Sequence, residues 1–145
     1  MNATPLVSIV VPVFNDADVI SSALDSCVRQ TLTAIEIIVV DDASTDDTAA
    51  IVERHIASDP RIRLIRQEQN ASAYHARRAG ILAARAEHLL FLDGDDELAE
   101  AAAEAALAKA TATGADLVQF GVDVVHLDGR TGGLFESRLQ PKHPT

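Results

Sequence analysis

An α/β fold, with a mostly parallel sheet covered by helices on both faces, is what the order of segments in this chain predicts. Short apolar runs alternate with amphipathic stretches, the pattern of strands alternating with crossover helices. The runs are rich in Val and Ile without strict alternation, as expected of strands buried on both faces. The 145 residues suffice for one domain with a sizeable core. Hydrophobic residues at 48% argue against disorder, and aromatics at 3% with no Trp make that core aliphatic and alanine-rich.

The elements follow in order. Leu6–Val13 is the first strand, and Asp16–Arg29 a helix with Ile20, Ala23, Leu24, Cys27 and Val28 on one face. Ile35–Val40 is a second continuous apolar strand, followed by a helix over Asp46–Ala57 with Ile51, Val52, His55 and Ile56 as its inner stripe. Arg61–Arg66 alternates Ile62 and Leu64 with arginines and reads as a less buried third strand. Ser72–Ala86 is helical in composition, and His88–Leu92 is the fourth strand. Leu98–Thr113 is an alanine-rich helix, with Gly114 placed to end it at C′. Asp116–Leu127 alternates Val118, Phe120, Val122 and Val124 with polar or small residues, as a strand with one buried face does, and Asp128-Gly129 signals a turn. Residues 1–132 are expected to form the domain and 133–145 an irregular tail.

Bulk properties exclude several function classes. A net charge of -10 speaks against a nucleic-acid partner, whose phosphates call for clustered Lys and Arg. It leaves room for a nucleotide whose diphosphate is held through a metal. Cys27 is the only cysteine, so no disulfide framework exists, and it reads as a small core residue. No stretch approaches the ~18 apolar residues of a transmembrane segment. The apolar run Val7–Phe14 lacks a preceding basic segment and is interrupted by Pro12, so no signal peptide is expected. The expected location is the cytoplasm, with the inner face of the membrane as an alternative.

Three polar segments fall at carboxyl ends of predicted parallel strands: Pro12-Val13-Phe14-Asn15-Asp16, Asp41 to Asp47, and Asp93-Gly94-Asp95-Asp96. A parallel sheet with right-handed crossovers brings such ends to one edge, where ligands bind in open α/β sheets. Helix starts account for some of these acids. Ser44 with Asp47 three residues later suits a cap, and Asp46, Asp47, Asp96 and Glu97 suit first helical turns. Asp41 and Asp42 come too early for that role. Gly94 suits a tight bend that aims Asp93 and Asp95 one way. Three carboxylates within four residues repel unless a cation joins them. Mg²⁺ and Mn²⁺ fit best, since they take one or two carboxylates plus substrate phosphates.

Three ordered motifs then resemble a known family. Val7 to Asn15 resembles the opening strand of family 2 glycosyltransferases with the Rossmann-like GT-A fold, Glu36 to Thr48 their second block, and Phe91-Leu92-Asp93-Gly94-Asp95-Asp96 their DXD segment. The resemblance covers roughly residues 6–128. It implies a nucleotide-sugar donor, usually a UDP-sugar, with Mn²⁺ or Mg²⁺ as cofactor and a saccharide or lipid-linked acceptor. It further implies that Phe14 lies against the base, with Pro12 and Val13 presenting backbone, and that Asp42 or Asp41 accepts a hydrogen bond from the base. Asp93 and Gly94 would border the ribose and the metal shell, with Asp93 and Asp95 the metal positions and Asp95 the direct ligand. Arg77 is either near the phosphates or an exposed helix charge. Ser72 stands where the family usually has glycine, and Arg78 where it usually has asparagine. No segment after Leu127 resembles the one that carries the family's general base, and Glu136 is the only carboxylate in the final stretch.

The function implied is inverting sugar transfer, or donor binding alone by a non-catalytic module on the same fold. A phosphoacceptor receiver domain fits poorly, because the acidic pair follows strand two rather than strand one. No Gly-x-Gly-x-x-Gly follows strand one, which disfavours a dinucleotide oxidoreductase.

Overall fold

The computed structural model describes residues 4–125 and 131–135. Four parallel strands, β1 (Val7–Val13), β2 (Ile35–Asp41), β3 (Ile62–Arg66) and β4 (His88–Phe91), form a sheet in the order β3-β2-β1-β4. The Val/Ile runs of β1 and β2 are buried at every position, because helices cover both faces. Helices α1 (Ile20–Val28) and α2 (Thr48–Ser58) pack with Ile9, Val11, Val13, Ile37 and Val39 on one face. Helix α3 (Ala73–Ala83) covers the other, where Ala76 packs with Ile38 and Val40. The two-residue period of a strand thus divides each apolar run between two cores. Cys27 is fully buried in the first of them, and burial pushes its thiol up to about 12, so it serves as packing.

Helix α3 is pinned along its length. A Cβ on Gly80 would lie 2.3 Å from Val10 Cγ1, so only glycine lets the helix approach β1 this closely. At its far end Glu36 is buried among four donors: Ser8 Oγ at 2.6 Å, the Arg85 amide at 2.7 Å, Arg85 Nε at 2.8 Å and Arg63 Nη2 at 3.0 Å. Burial alone would raise this carboxyl, but the hydrogen bonds from Ser8 and Arg85 and the charge of Arg63 outweigh it and hold it below the usual glutamate range. Arg63 Nη2 also donates to the Ala83 carbonyl at 2.7 Å.

Helix α4 (Ala102–Thr113) starts later than the expected Leu98. Buried Gln30 explains the delay. Its Nε2 donates to the Ala99 carbonyl at 2.8 Å and its Oε1 accepts the Ala103 amide at 2.9 Å, so a side chain takes groups that a helical turn would use. Gly114 ends the helix at φ 64° with its amide 2.8 Å from the Ala110 carbonyl, as the sequence predicts.

The chain divides into two units, Met1–Ala108 and Lys109–Thr145. In the second, β5 (Val122–Val125) pairs antiparallel with β6 (Thr131–Phe135). The expected strand Asp116–Leu127 is therefore shorter, and it does not join the parallel sheet. Leu117 and Phe120 are exposed, because alternation buries a face only where a second layer covers it. The irregular tail expected from Gly133 does not begin there, since Thr131–Phe135 is a strand despite two glycines that depress strand propensity. The turn expected at Asp128-Gly129 and the carboxylate of Glu136 lie outside the described residues.

Candidate functional site

Strand order reverses between β1 and β4, which makes their carboxyl ends the switch point at which open α/β sheets bind ligands. The three acidic segments meet there. The loop after β1 is laced to the loop after β2. Asn15 N–H donates to Ser44 Oγ at 2.9 Å, Asp16 N–H to Thr48 Oγ1 at 2.9 Å, and Ala17 N–H to Asp46 Oδ2 at 3.1 Å. Thr45 N–H returns a bond to Asn15 Oδ1 at 2.9 Å. Asn15 and Ala43 sit at φ 56° and 62°, left-handed conformations in the loops that follow β1 and β2.

This lacing corrects the expected cap. Neither Ser44 nor Asp47 caps α2 with its side chain. Asp46 Oδ1 instead accepts the Thr48 hydroxyl at 2.5 Å and the Thr48 amide at 3.0 Å, and these bonds, the hydroxyl's foremost, hold its carboxyl below the usual range. The first helix likewise begins at Ile20 rather than Asp16, and the Asp16 and Ala17 amides bond to the neighbouring loop.

Phe14, at the end of β1, is 45% exposed, its amide donating to Asp16 Oδ2 at 3.1 Å. Pro12 and Val13 are buried within β1, and the Val13 carbonyl accepts the Asp42 amide at 2.9 Å. Asp41 is fully buried, its Oδ1 accepting the Ser44 amide at 2.9 Å and its Oδ2 lying 3.2 Å from Arg66 Nε. Asp42, also buried, accepts the Ala71 amide on Oδ1 and the Ser72 amide on Oδ2, each at 2.9 Å. Ser72 adopts φ 92°, ψ 157°, a region that essentially only glycine populates freely. Serine in place of the expected glycine thus falls on a strained position.

Gly94 is buried against the β1 loop, where a Cβ would lie 2.7 Å from Asp16 Oδ2 and 3.0 Å from Val13 Cγ1. That close approach crowds carboxylates. Burial, opposed by the Phe14 amide and reinforced by the charges of Asp95, Asp46 and Asp93, pushes Asp16 above the usual aspartate range. Burial and the charges of Asp95 and Asp93 do the same to Asp96. Arg77, one turn into α3, pairs with Asp93. Asp95 is exposed and makes no hydrogen bond or ion pair among the described residues. No group of three or more His, Cys, Asp or Glu among the described residues forms a ready metal cage. A hard cation sharing one or two carboxylates with a phosphate requires no such cage. The unpaired Asp95, beside acids that resist ionisation, fits that donor set. The sequence reading places Asp16 in a converging strand-end segment but gives it no site role, because its approach to the Asp93–Asp96 bend depends on the Gly94 packing rather than on spacing.

A parallel sheet with this switch point matches the Rossmann-like GT-A fold. The chain belongs to glycosyl transferase family 2, whose family model matches residues 8–143. It is 38% identical over 135 residues to the succinoglycan biosynthesis protein ExoO of Rhizobium meliloti, covering 93% of this chain and 38% of that protein. Among solved structures, S. aureus TarS 1-349 in complex with UDP-GlcNAc aligns with a TM-score of 0.71 at 30% identity, over 76% of this chain and 32% of that one. Mannosyltransferase PcManGT from Pyrobaculum calidifontis, in complex with GDP-Man and Mn²⁺, aligns at 0.63 and 30% identity, over 66% of this chain and 29% of that one. The chain therefore spans about a third of the length of these relatives. Among the described residues no helix is long and apolar enough to cross a membrane.

Proposed function

We propose that this chain binds a nucleotide-sugar donor, with uridine diphosphate as the carrier, together with Mn²⁺ or Mg²⁺. Within a protein of its relatives' length, the bound sugar passes to an acceptor hydroxyl with inversion. The observation that carries this reading is Asp95, an exposed carboxylate without a cationic partner among the described residues, beside Asp16 and Asp96, which burial and then like charges, its own among them, push up. Asp95 and Asp93 would hold the ion. When bound, the ion offsets the diphosphate charge and serves as a Lewis acid for the leaving group.

The chain's own residues do the rest of the donor binding. Arg77, set beside Asp93, offers its remaining N–H groups to the phosphates. The exposed face of Phe14 receives the base, with Pro12 and Val13 as the rigid strand end behind it. Asp42 offers the second lone pairs of its oxygens toward the base, while Asp41 holds the loop through Ser44. Gly94 lets the Asp93–Asp96 bend close on the β1 loop. Transfer further requires a base that takes the acceptor proton, a role that none of these residues fills. The UDP-GlcNAc complex of TarS supports a uridine carrier, and the GDP-Man complex of PcManGT makes guanosine the comparison to run.

A calorimetric titration with UDP and GDP, each with and without Mn²⁺, tests the reading. Metal-dependent binding of UDP that falls at least about tenfold in Asp95→Ala is the expected result. Binding of neither nucleotide under any condition defeats it.

A further inference from the structure

We infer that Asp42 is a positioning residue that sets the start of α3 and thereby places Arg77 at Asp93. The inference rests on the donor-site reading only for its ligand test. Both Asp42 oxygens are occupied by main-chain donors, the amides of Ala71 and Ser72. These are the two amides that immediately precede α3, and the Ser72 carbonyl accepts the first helical bond from Ala76 at 3.1 Å. The buried carboxylate thus sits where the positive end of the helix dipole lies, and it holds the N-cap amide, which the helix cannot satisfy itself, together with the amide of the residue before it.

The strained backbone supplies the second observation. Ser72 at φ 92°, ψ 157° would relax toward ordinary backbone if it were released. Relaxation at the N-cap would turn the first helical turn, residues 73–76, and Arg77 is the residue that directly follows it. The rest of α3 cannot follow, because Gly80 is seated on Val10 and Arg63 and Arg85 bind the helix end to Glu36. Loss of the Asp42 grip therefore moves the first turn, and with it Arg77, against a fixed remainder. His75 Nδ1, 2.6 Å from the Ala71 carbonyl, adds a local tie but none to the sheet.

The test uses the whole chain in four forms: wild type, Asp42→Asn, Asp42→Ala, and Asp42→Ala with Ser72→Gly. Amide hydrogen exchange at Ala71, Ser72 and Ala76 is read first, with the NMR signals of the Arg77 guanidinium. Loss of the charge-assisted bonds should speed exchange at Ala71 and Ser72 about 10- to 100-fold, exchange at Ala76 should rise with the loosened first turn, and the Arg77 signals should lose their ion-pair shift. Asp42→Asn, which keeps one acceptor oxygen, should fall between wild type and Asp42→Ala. Glycine at 72 accepts the observed backbone without strain, so the double variant should recover the Arg77 signals although the carboxylate is gone. Inorganic pyrophosphate with Mn²⁺, a probe without a base, should lose affinity in Asp42→Ala and regain it in the double variant.

Unchanged exchange in Asp42→Ala, unchanged Arg77 signals, or no rescue by Ser72→Gly each overturns the inference. So does a pyrophosphate affinity indifferent to Asp42 when wild type binds the probe, since that pattern belongs to a residue that touches only the base. If wild type binds neither UDP nor pyrophosphate, the donor-site reading fails, and the exchange and Arg77 data still decide the role of Asp42.

Discussion

Replacing Ser72 by glycine should stabilise the protein although it removes a side chain. Ser72 sits at φ 92°, ψ 157°, where a Cβ costs about 1–3 kcal/mol. Glycine removes that cost but gives the unfolded chain more freedom, which offsets roughly 0.5–1 kcal/mol. The substitution also removes the Ser72 hydroxyl, whose oxygen lies 3.3 Å from His75 Nδ1 at an exposed position, and a hydrogen bond there is worth little in solvent. The expected net gain is about 1 kcal/mol, which for a chain of this size raises the melting temperature by about 3–4 °C. Ala73, the next residue and the first of α3, is the control, because glycine there lacks any strain to relieve and should cost up to about 1 kcal/mol. Urea unfolding followed by far-ultraviolet circular dichroism separates the two, provided the slope with denaturant stays constant. Should Ser72→Gly lower the midpoint as Ala73→Gly does, the strained backbone at the α3 entry is not a feature of the folded protein.

Three other substitutions probe neighbouring links. Gly80→Ala places a methyl 2.3 Å from Val10 Cγ1 and should cost about 1–3 kcal/mol by overpacking; repeating it in Val10→Ala, where that methyl is absent, should return part of the stability in the same unfolding assay. Gly94→Ala puts a Cβ against Asp16 and Val13, so the Asp93–Asp96 bend must shift, and UDP affinity in the presence of Mn²⁺ should fall more than stability does. Glu36→Gln should cost about 1–3 kcal/mol at neutral pH by weakening charge-assisted bonds, and it should flatten the acid limb of the stability curve. The folded pKa of Glu36 lies below its ordinary 4.5. The unfolded chain therefore holds more protons between the two values, so the stabilisation is complete above the ordinary pKa and is lost as pH falls through the folded one. An acid limb equally steep in Glu36→Gln would show that the clasp does not titrate with folding.

Much of the architecture is legible in the Val/Ile runs. Continuous apolar strands separated by amphipathic helices leave few alternatives to a parallel sheet, and the acids at 41, 42, 93 and 95 are conspicuous because helix starts do not absorb them. What is not legible depends on contacts between distant loops. Asp16 reads as the start of a helix, yet its carboxylate lies where a Cβ on Gly94 would point, far along the sequence. Asp46 reads as part of a helix start, yet it ties Ala17. Arg77 divides evenly between an exposed charge and a site residue until α3 sets it beside Asp93. Leu98 fails as a helix start because Gln30, from another element, claims the Ala99 carbonyl and the Ala103 amide. Alternation over 116–127 predicts a buried face that the described residues do not supply.

The two ends of α3 show why the carboxyl edge carries the chemistry. At the amino edge of the sheet, Glu36 is neutralised by two arginines and bonded on both oxygens, so that end contributes stability. At the carboxyl edge the opposite condition holds, with Ser72 strained and Asp16 and Asp96 pushed up by burial and by neighbours of like charge. A satisfied edge has no affinity left to offer a ligand, whereas a charged and strained one gains by binding a cation and a phosphate together. Proteins tolerate local strain only where the surrounding structure over-determines it, and here α3 transmits the support: Gly80 on Val10 and the Glu36 clasp hold the helix while its first turn is kept ready for Arg77 to meet a ligand.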